Sequence, residues 1–133
     1  MRRQLIPEGH SRPVGRYSPG LAVSGSGTLI FVTGQVAVDG DGKLLHPGDA
    51  GRQASVVFEN LATVLAAGGG SLCDLVSIVI YAVDVKRDFR AISSVRDRVL
   101  SEPAPASTLV EVAGLVEDGV LLEISGVAVV GDR

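Results

Sequence analysis

The sequence predicts an α+β domain whose elements run β-β-α-β-α-β-β, with a mainly antiparallel sheet and two helices on one of its faces. Three observations predict this. The chain has 133 residues, 46% of them apolar, enough for one compact core spanning residues 1–133 and too few for two. Two segments repeat apolar residues at steps of three and four, the period of a helix face. Five others are short, mostly rich in β-branched residues and bounded by turn residues, as strands are. No repeat, charge block or low-complexity linker interrupts the order.

Residues 1–20, MRRQLIPEGHSRPVGRYSPG, hold three prolines and three glycines. They are expected to form an extended arm with turns. From Leu21 the text LAVSGSGTLIFVTGQVAV reads as two strands joined by a hairpin, since SGSG suits a loop that needs positive φ. The second of these strands is expected to end at the turn Asp39–Lys43. Between Ala50 and Ala67 the residues Ala54, Val57, Phe58, Leu61, Val64 and Leu65 predict the first helix, and the glycines at 68–70 stop it. Residues 74–85, DLVSIVIYAVDV, predict a strand buried on both faces. Asp88 is the expected N-cap of a second helix carrying Phe89, Ile92, Val95 and Val99, which ends before Pro103. Strands near 106–114 and 120–130 close the chain as a second hairpin, with Glu117–Gly119 at its turn.

Two helices cover only one face of such a sheet, yet the strands near 75–85 and 120–130 are apolar on both. Exposed patches of that kind mark association sites, so an oligomer is expected to bury the second face. The alternative is that a loop such as 39–49 folds over it.

Composition excludes several functions. The net charge is −3 and there is no tryptophan, so neither a basic face nor stacking platforms for nucleic acid are expected. A single cysteine, Cys73, permits no internal disulfide, fits a reducing compartment, and reads as an ordinary half-buried thiol. With no apolar leader behind the basic start and no run of membrane-spanning length, a soluble cytoplasmic protein is expected. The Asp39–Lys43 stretch begins like a calcium loop, but position twelve is Ala50 where a bidentate glutamate is needed, so it reads as a turn. His10 and His46 lie in separate loops with no ligand cluster around them, and no metal is expected. No serine has the G-x-S-x-G setting of a nucleophile elbow.

Glu123 is the most informative residue, a lone carboxylate in VLLEISGVAVV. Desolvation raises a carboxyl pKa, which suits general acid or base work near neutral pH. It reads equally as a strand-edge acid that reaches solvent or pairs with an arginine. Glu111, in the neighbouring strand, reads as a cross-strand or interface charge. Tyr17 is a pocket wall or a packing anchor for the arm. Thr33, Gly34 and Gln35 end a hydrophobic strand with a glycine that either admits a ligand to the backbone or forms a bulge.

Taken together, VGRYSPG, FVTGQVAVD, the segment from Val57 to Val85 and PASTLVEVAGLVEDGVLLEISGVAVV resemble the Rid family, also called YjgF/YER057c/UK114, over nearly the whole chain. The resemblance implies a chorismate-mutase-like fold and a homotrimer with ligand sites in the clefts between subunits. It also implies hydrolysis of small enamines and imines to keto acids and ammonia, without metal or cofactor. On that resemblance Glu123 and Tyr17 are the candidate catalytic residues. Thr33, Gly34, Gln35, Phe89, Ser93, Ser107 and Leu109 are the candidate substrate-binding residues. Deaminating members carry an arginine where this chain has Ser107, and many carry an asparagine where it has Ser93. A guanidinium grips a carboxylate with two charge-assisted hydrogen bonds, and a hydroxyl offers one neutral donor. Either Arg96 or Arg16 replaces the missing charge, or the substrate has no carboxylate, or the cleft binds a metabolite without turnover. The endoribonuclease label attached to the family finds no support in an acidic chain.

Overall fold

The computed structural model describes residues 1–131. In chain order the elements are strands β1 (Arg2–Leu5), β2 (Gly20–Val23) and β3 (Gly27–Gln35), helix α1 (Ala50–Ala67), strand β4 (Leu75–Ala82), helix α2 (Val85–Val99), and strands β5 (Ala106–Glu111) and β6 (Leu122–Gly131). The main sheet has the strand order β3-β6-β4-β5, antiparallel except for the β4/β5 pair, while β1 and β2 form a separate antiparallel ribbon.

Both helices lie where the apolar period places them, but Val64 and Phe89, counted in their stripes, are 39% and 41% exposed because each lies at the edge of its helix's buried face. In α1, Ala54, Val57, Phe58, Leu61 and Leu65 make one buried stripe, Asp49 Oδ1 accepts from the Arg52 N–H at 3.0 Å, and Gly69 adopts φ +81° after the last turn. The α2 cap differs from expectation. Asp84, not Asp88, accepts from the Arg87 N–H, so the helix starts earlier and Asp88 lies inside its first turn, buried and bonded twice to Arg87 at 2.8 Å. Two aspartates four residues apart are each able to cap, and the earlier one adds a turn.

Neither expected hairpin forms. β2 pairs with β1, an element that the proline-rich arm had concealed, and the SGSG loop carries the chain between the two sheets, with Gly25 at φ +98°. Arg2 fastens the ribbon, donating to the carbonyls of Cys73, Asp74 (2.8 Å) and Val129 (2.7 Å). β3 ends at Gln35, earlier than the turn at 39–43, where Asp39 Oδ1 accepts from the N–H groups of Asp41 and Lys43. At the C-terminal end, β5 ends at Glu111 and pairs in parallel with β4, for which α2 is the required crossover. The ten-residue β6 instead takes the central position between β3 and β4, where both edges find partners. Glu111 consequently sits opposite Ala82, not β6, and accepts from the Val85 N–H at 3.0 Å.

The turn at 117–120 is real, with the Val120 N–H bonded to the Glu117 carbonyl and Gly119 at φ +89°. It is held by α1 and not by a β5 partner. The fully buried Gln53 donates to the carbonyls of His46 (3.2 Å) and Gly119 (2.9 Å) and accepts from the Leu121 N–H (2.9 Å). Gln53→Leu is expected to keep the volume but strand three backbone groups, lowering stability by about 3 kcal/mol in urea unfolding. A loss under about 1 kcal/mol would show that water replaces the amide.

Leu122, Ile124, Ala128, Ile78, Ile80 and Ala82 face the helices and are buried. The outer face is uncovered: Leu29 and Phe31 are 59% and 73% exposed, and Val79, Tyr81, Val127 and Val129 are half-buried. The segment 36–49 does not cover it, because Asn60 of α1 holds the Val36 and Val38 carbonyls and Gln53 holds that of His46. Cys73 is exposed rather than half-buried, its Sγ 3.3 Å from Ser101 Oγ. Among the described residues, no helix is long and apolar enough to cross a membrane.

Candidate functional site

The residues singled out in the sequence fall into two groups on opposite faces of the main sheet. Register decides this. Ser107 and Leu109 stand opposite Ile78 and Ile80 on the helix side, whereas Glu123 stands opposite Tyr81 on the outer side.

On the helix side, β5, α2 and the N-terminal arm enclose a cleft of about 270 Å³. Its walls are Tyr17 and Val14 from the arm, Phe89, Ser93, Arg96 and Asp97 from α2, and Ser107 and Leu109 from β5. The α2 contributors follow from helical spacing, since steps of three and four place 89, 93, 96 and 97 on one side. The hydroxyls of Ser93 and Ser107 are buried and have no hydrogen-bond partner among the described residues. A buried hydroxyl without a partner costs free energy, so in an apolar cleft it marks a place where a polar atom is wanted.

Arg96 is buried, with its guanidinium carbon 5.3 Å from the centroid of the Tyr17 ring and its Nε 3.1 Å from Asp97 Oδ1. Gly15 makes room for it: a Cβ there would lie 2.4 Å from Arg96 Nη2. Asp97 Oδ1 also accepts from the Arg16 N–H at 2.8 Å, pinning the arm to α2. The Arg16 side chain turns away to donate to the Leu100 carbonyl at 3.0 Å. Of the two arginines considered from the sequence, Arg96 enters the cleft and Arg16 does not. Val14 and Asp97 went unnamed in the sequence reading; the helical step of four from Ser93 was the available signal for Asp97, and Val14 had none.

On the outer side, Glu123 is half-buried on the central strand, paired there with Tyr81, and its carboxylate has no hydrogen-bond or ion-pair partner among the described residues. Its carboxyl group packs on Gly34, where a Cβ would fall 2.5 Å from Cδ and 2.7 Å from Oε2. Gly34 lies within the shift of register between Val32 and Gln35, so the glycine serves both a bulge and a close approach. Thr33 is exposed, and its carbonyl accepts from Gln35 Nε2 at 3.1 Å. Gln35 itself lines a separate depression with Asn60 and Thr63 of α1, apart from Glu123.

Residues 9–130 match the family described as Endoribonuclease L-PSP, which is the YjgF/Rid family. The chain belongs to the Rid family. A RutC family protein of Pyrococcus abyssi is 34% identical to this Rid protein over 124 residues, covering 93% of this chain and 94% of the relative. Another, from Saccharolobus solfataricus, is 34% identical over 128 residues, covering 96% and 98%. Among solved structures, a Rid-family protein of unknown function from Yersinia pestis, YyfB, superposes with a TM-score of 0.84 at 27% identity, covering 97% of this chain and 98% of that one. RidA from an Antarctic Psychrobacter superposes with a TM-score of 0.71 at 30% identity, covering 96% and 99%. The α+β fold of this Rid protein is therefore that of its relatives.

Proposed function

We propose that this Rid protein is a homotrimeric hydrolase of a small imine or related carbonyl metabolite, and that its site forms where the outer face of one subunit meets the helix-side cleft of the next. One observation carries the reading: an unpaired carboxylate lies on an uncovered apolar face, while the unpaired hydroxyls lie behind the same sheet. Each half lacks what the other holds. Packing the outer face of one subunit over the cleft of another buries Leu29 and Phe31 and brings the halves together.

The chemistry needs only water and proton transfer. Glu123 takes a proton from water as the oxygen attacks the imine carbon; the C=N π pair moves to nitrogen, which is protonated, giving a carbinolamine. The protonated Glu123 then gives its proton to the amine nitrogen, the C–N bond breaks with its electron pair on that nitrogen, and the O–H pair forms the C=O bond as the hydroxyl proton returns to solvent, so the products are a carbonyl compound and ammonia. Ser93, Ser107 and the Tyr17 ring hold the reactant, and the apolar walls of Phe89 and Leu109 limit its size.

The test is ammonia and keto-acid release from freshly generated 2-aminoacrylate, measured above the uncatalysed rate, on protein whose mass by light scattering is that of three subunits. Acceleration is expected. Binding of the corresponding keto acid with no acceleration would instead support a metabolite-binding trimer, a reading favoured by the neutral Ser107.

A further inference from the structure

We propose that Arg96 is the anion-binding residue of this cleft, so that the site selects a small molecule bearing a carboxylate, delivered to the guanidinium from α2 and not from β5. The proposal deepens the reading above, since it concerns the reactant of that same site.

Four observations carry it. Arg96 is the only cation lining the cleft among the described residues, and it is 4% exposed. Its Nε alone has a protein acceptor, Asp97, so the two terminal nitrogens remain for a ligand. A guanidinium presents its N–H donors in a planar fork, so terminal nitrogens without a protein acceptor can match the two oxygens of one carboxylate. The second observation is the pair of buried hydroxyls, Ser93 and Ser107, that share the cleft and lack partners. Ser93 is three residues before Arg96, on the same side of α2, so its hydroxyl and the fork address the same space.

The third is how the guanidinium is set. Tyr17 stacks at 5.3 Å, Asp97 fixes Nε, and the absent side chain at Gly15 leaves room for Nη2. A side chain held on three sides loses little entropy on binding, which favours a planar two-oxygen partner over a diffuse one. The fourth is charge. Asp97, 41% exposed at the cleft wall, offsets part of the arginine's charge, which suits one carboxylate better than a doubly charged phosphate. A second arginine at 107 would crowd like charges into about 270 Å³, so the small neutral residue on β5 and the cation on α2 are two parts of one arrangement.

Equilibrium binding tests this without any turnover. Pyruvate, its uncharged analogue pyruvamide, and protein variants of matched fold and mass are compared by calorimetry. The unmodified protein is expected to bind pyruvate and to bind pyruvamide at least about tenfold more weakly; Arg96→Gln should weaken pyruvate about 30- to 100-fold and leave pyruvamide unchanged. Arg96→Gln combined with Ser107→Arg should recover most of the loss, because the charge returns from the opposite wall. Pyruvate and pyruvamide binding alike, no pyruvate binding by the unmodified protein, or an unaffected Arg96→Gln would each overturn the proposal. Should Arg96→Gln not fold, Ser107→Asp decides: a carboxylate built across from Arg96 should compete for it and abolish pyruvate binding, and unchanged binding would overturn the clamp. If binding follows Arg96 while 2-aminoacrylate is not hydrolysed, the clamp stands and the hydrolase reading fails.

Discussion

Glu123→Gln is expected to lower kcat for imine hydrolysis by about 10²- to 10⁴-fold, the usual contribution of a positioned general acid or base. The substitution is nearly isosteric, so the side chain still packs on Gly34 and the outer face keeps its shape. Stability should change little, because the carboxylate has no protein hydrogen bond to lose among the described residues. KM should change less than kcat, since the reactant is held mainly by the opposite half-site. Steady-state kinetics with 2-aminoacrylate, together with thermal unfolding, read all three quantities. A kcat within about threefold of the unmodified protein would remove Glu123 from the chemistry, and would leave it a strand acid that reaches solvent. Gly34 sets where this carboxylate rests: a side chain at that position would force the Glu123 carboxyl group to swing aside, so the bulge and the placing of the acid belong to one local solution.

The elements set by local chemistry were legible in the sequence, and those set by long-range pairing were not. The stripe from Ala54 to Leu65 gave α1 its bounds at Ala50 and Ala67, and the glycines at 68–70 gave its end. The β-branched run around residues 75–82 read as a strand because its alternation is intrinsic to the letters. Both hairpins, by contrast, were inferred from proximity and turn residues. SGSG and Glu117–Gly119 do turn the chain, yet β6 gains more by lying between β3 and β4 than by folding back on β5. A turn signal fixes the backbone at four residues and says nothing of which strands then pair. The candidate site followed the same division. Tyr17, Phe89, Ser93, Ser107 and Leu109 share a cleft, and Gly34 lies under Glu123, but the separation of these groups by the sheet depends on register, which a single chain of letters does not display. The expectation that β4 and β6 are apolar on two faces was the one sequence signal that pointed to it. On the proposed reading, the uncovered outer face and the division of the site between two faces are one requirement seen twice.

That requirement gives the second large effect. If Glu123 of one subunit serves the cleft of another, two inactive variants should restore each other in mixed trimers. Glu123→Gln abolishes the outer half and leaves the cleft intact; Arg96→Gln weakens the cleft and leaves the carboxylate intact. Each homotrimer is then inactive at low reactant concentration. When the two are unfolded together in equal amounts and refolded, about one quarter of the sites should pair an intact carboxylate with an intact cleft. Activity per site formed should return to about that fraction of the unmodified protein's, whereas mixing the folded trimers without subunit exchange should return none. A site contained within one subunit predicts no recovery under either condition, because every chain carries one lesion. Recovery therefore separates the two arrangements without reference to which substrate is natural. It also removes general instability as a cause of either variant's inactivity, since a chain that could not fold could not complement. The sheet places the carboxylate and the hydroxyls on opposite sides of a single layer, too far around its edge for one reactant to touch both. In the proposed trimer a neighbouring copy, laid with its cleft against the exposed Leu29 and Phe31, closes that distance.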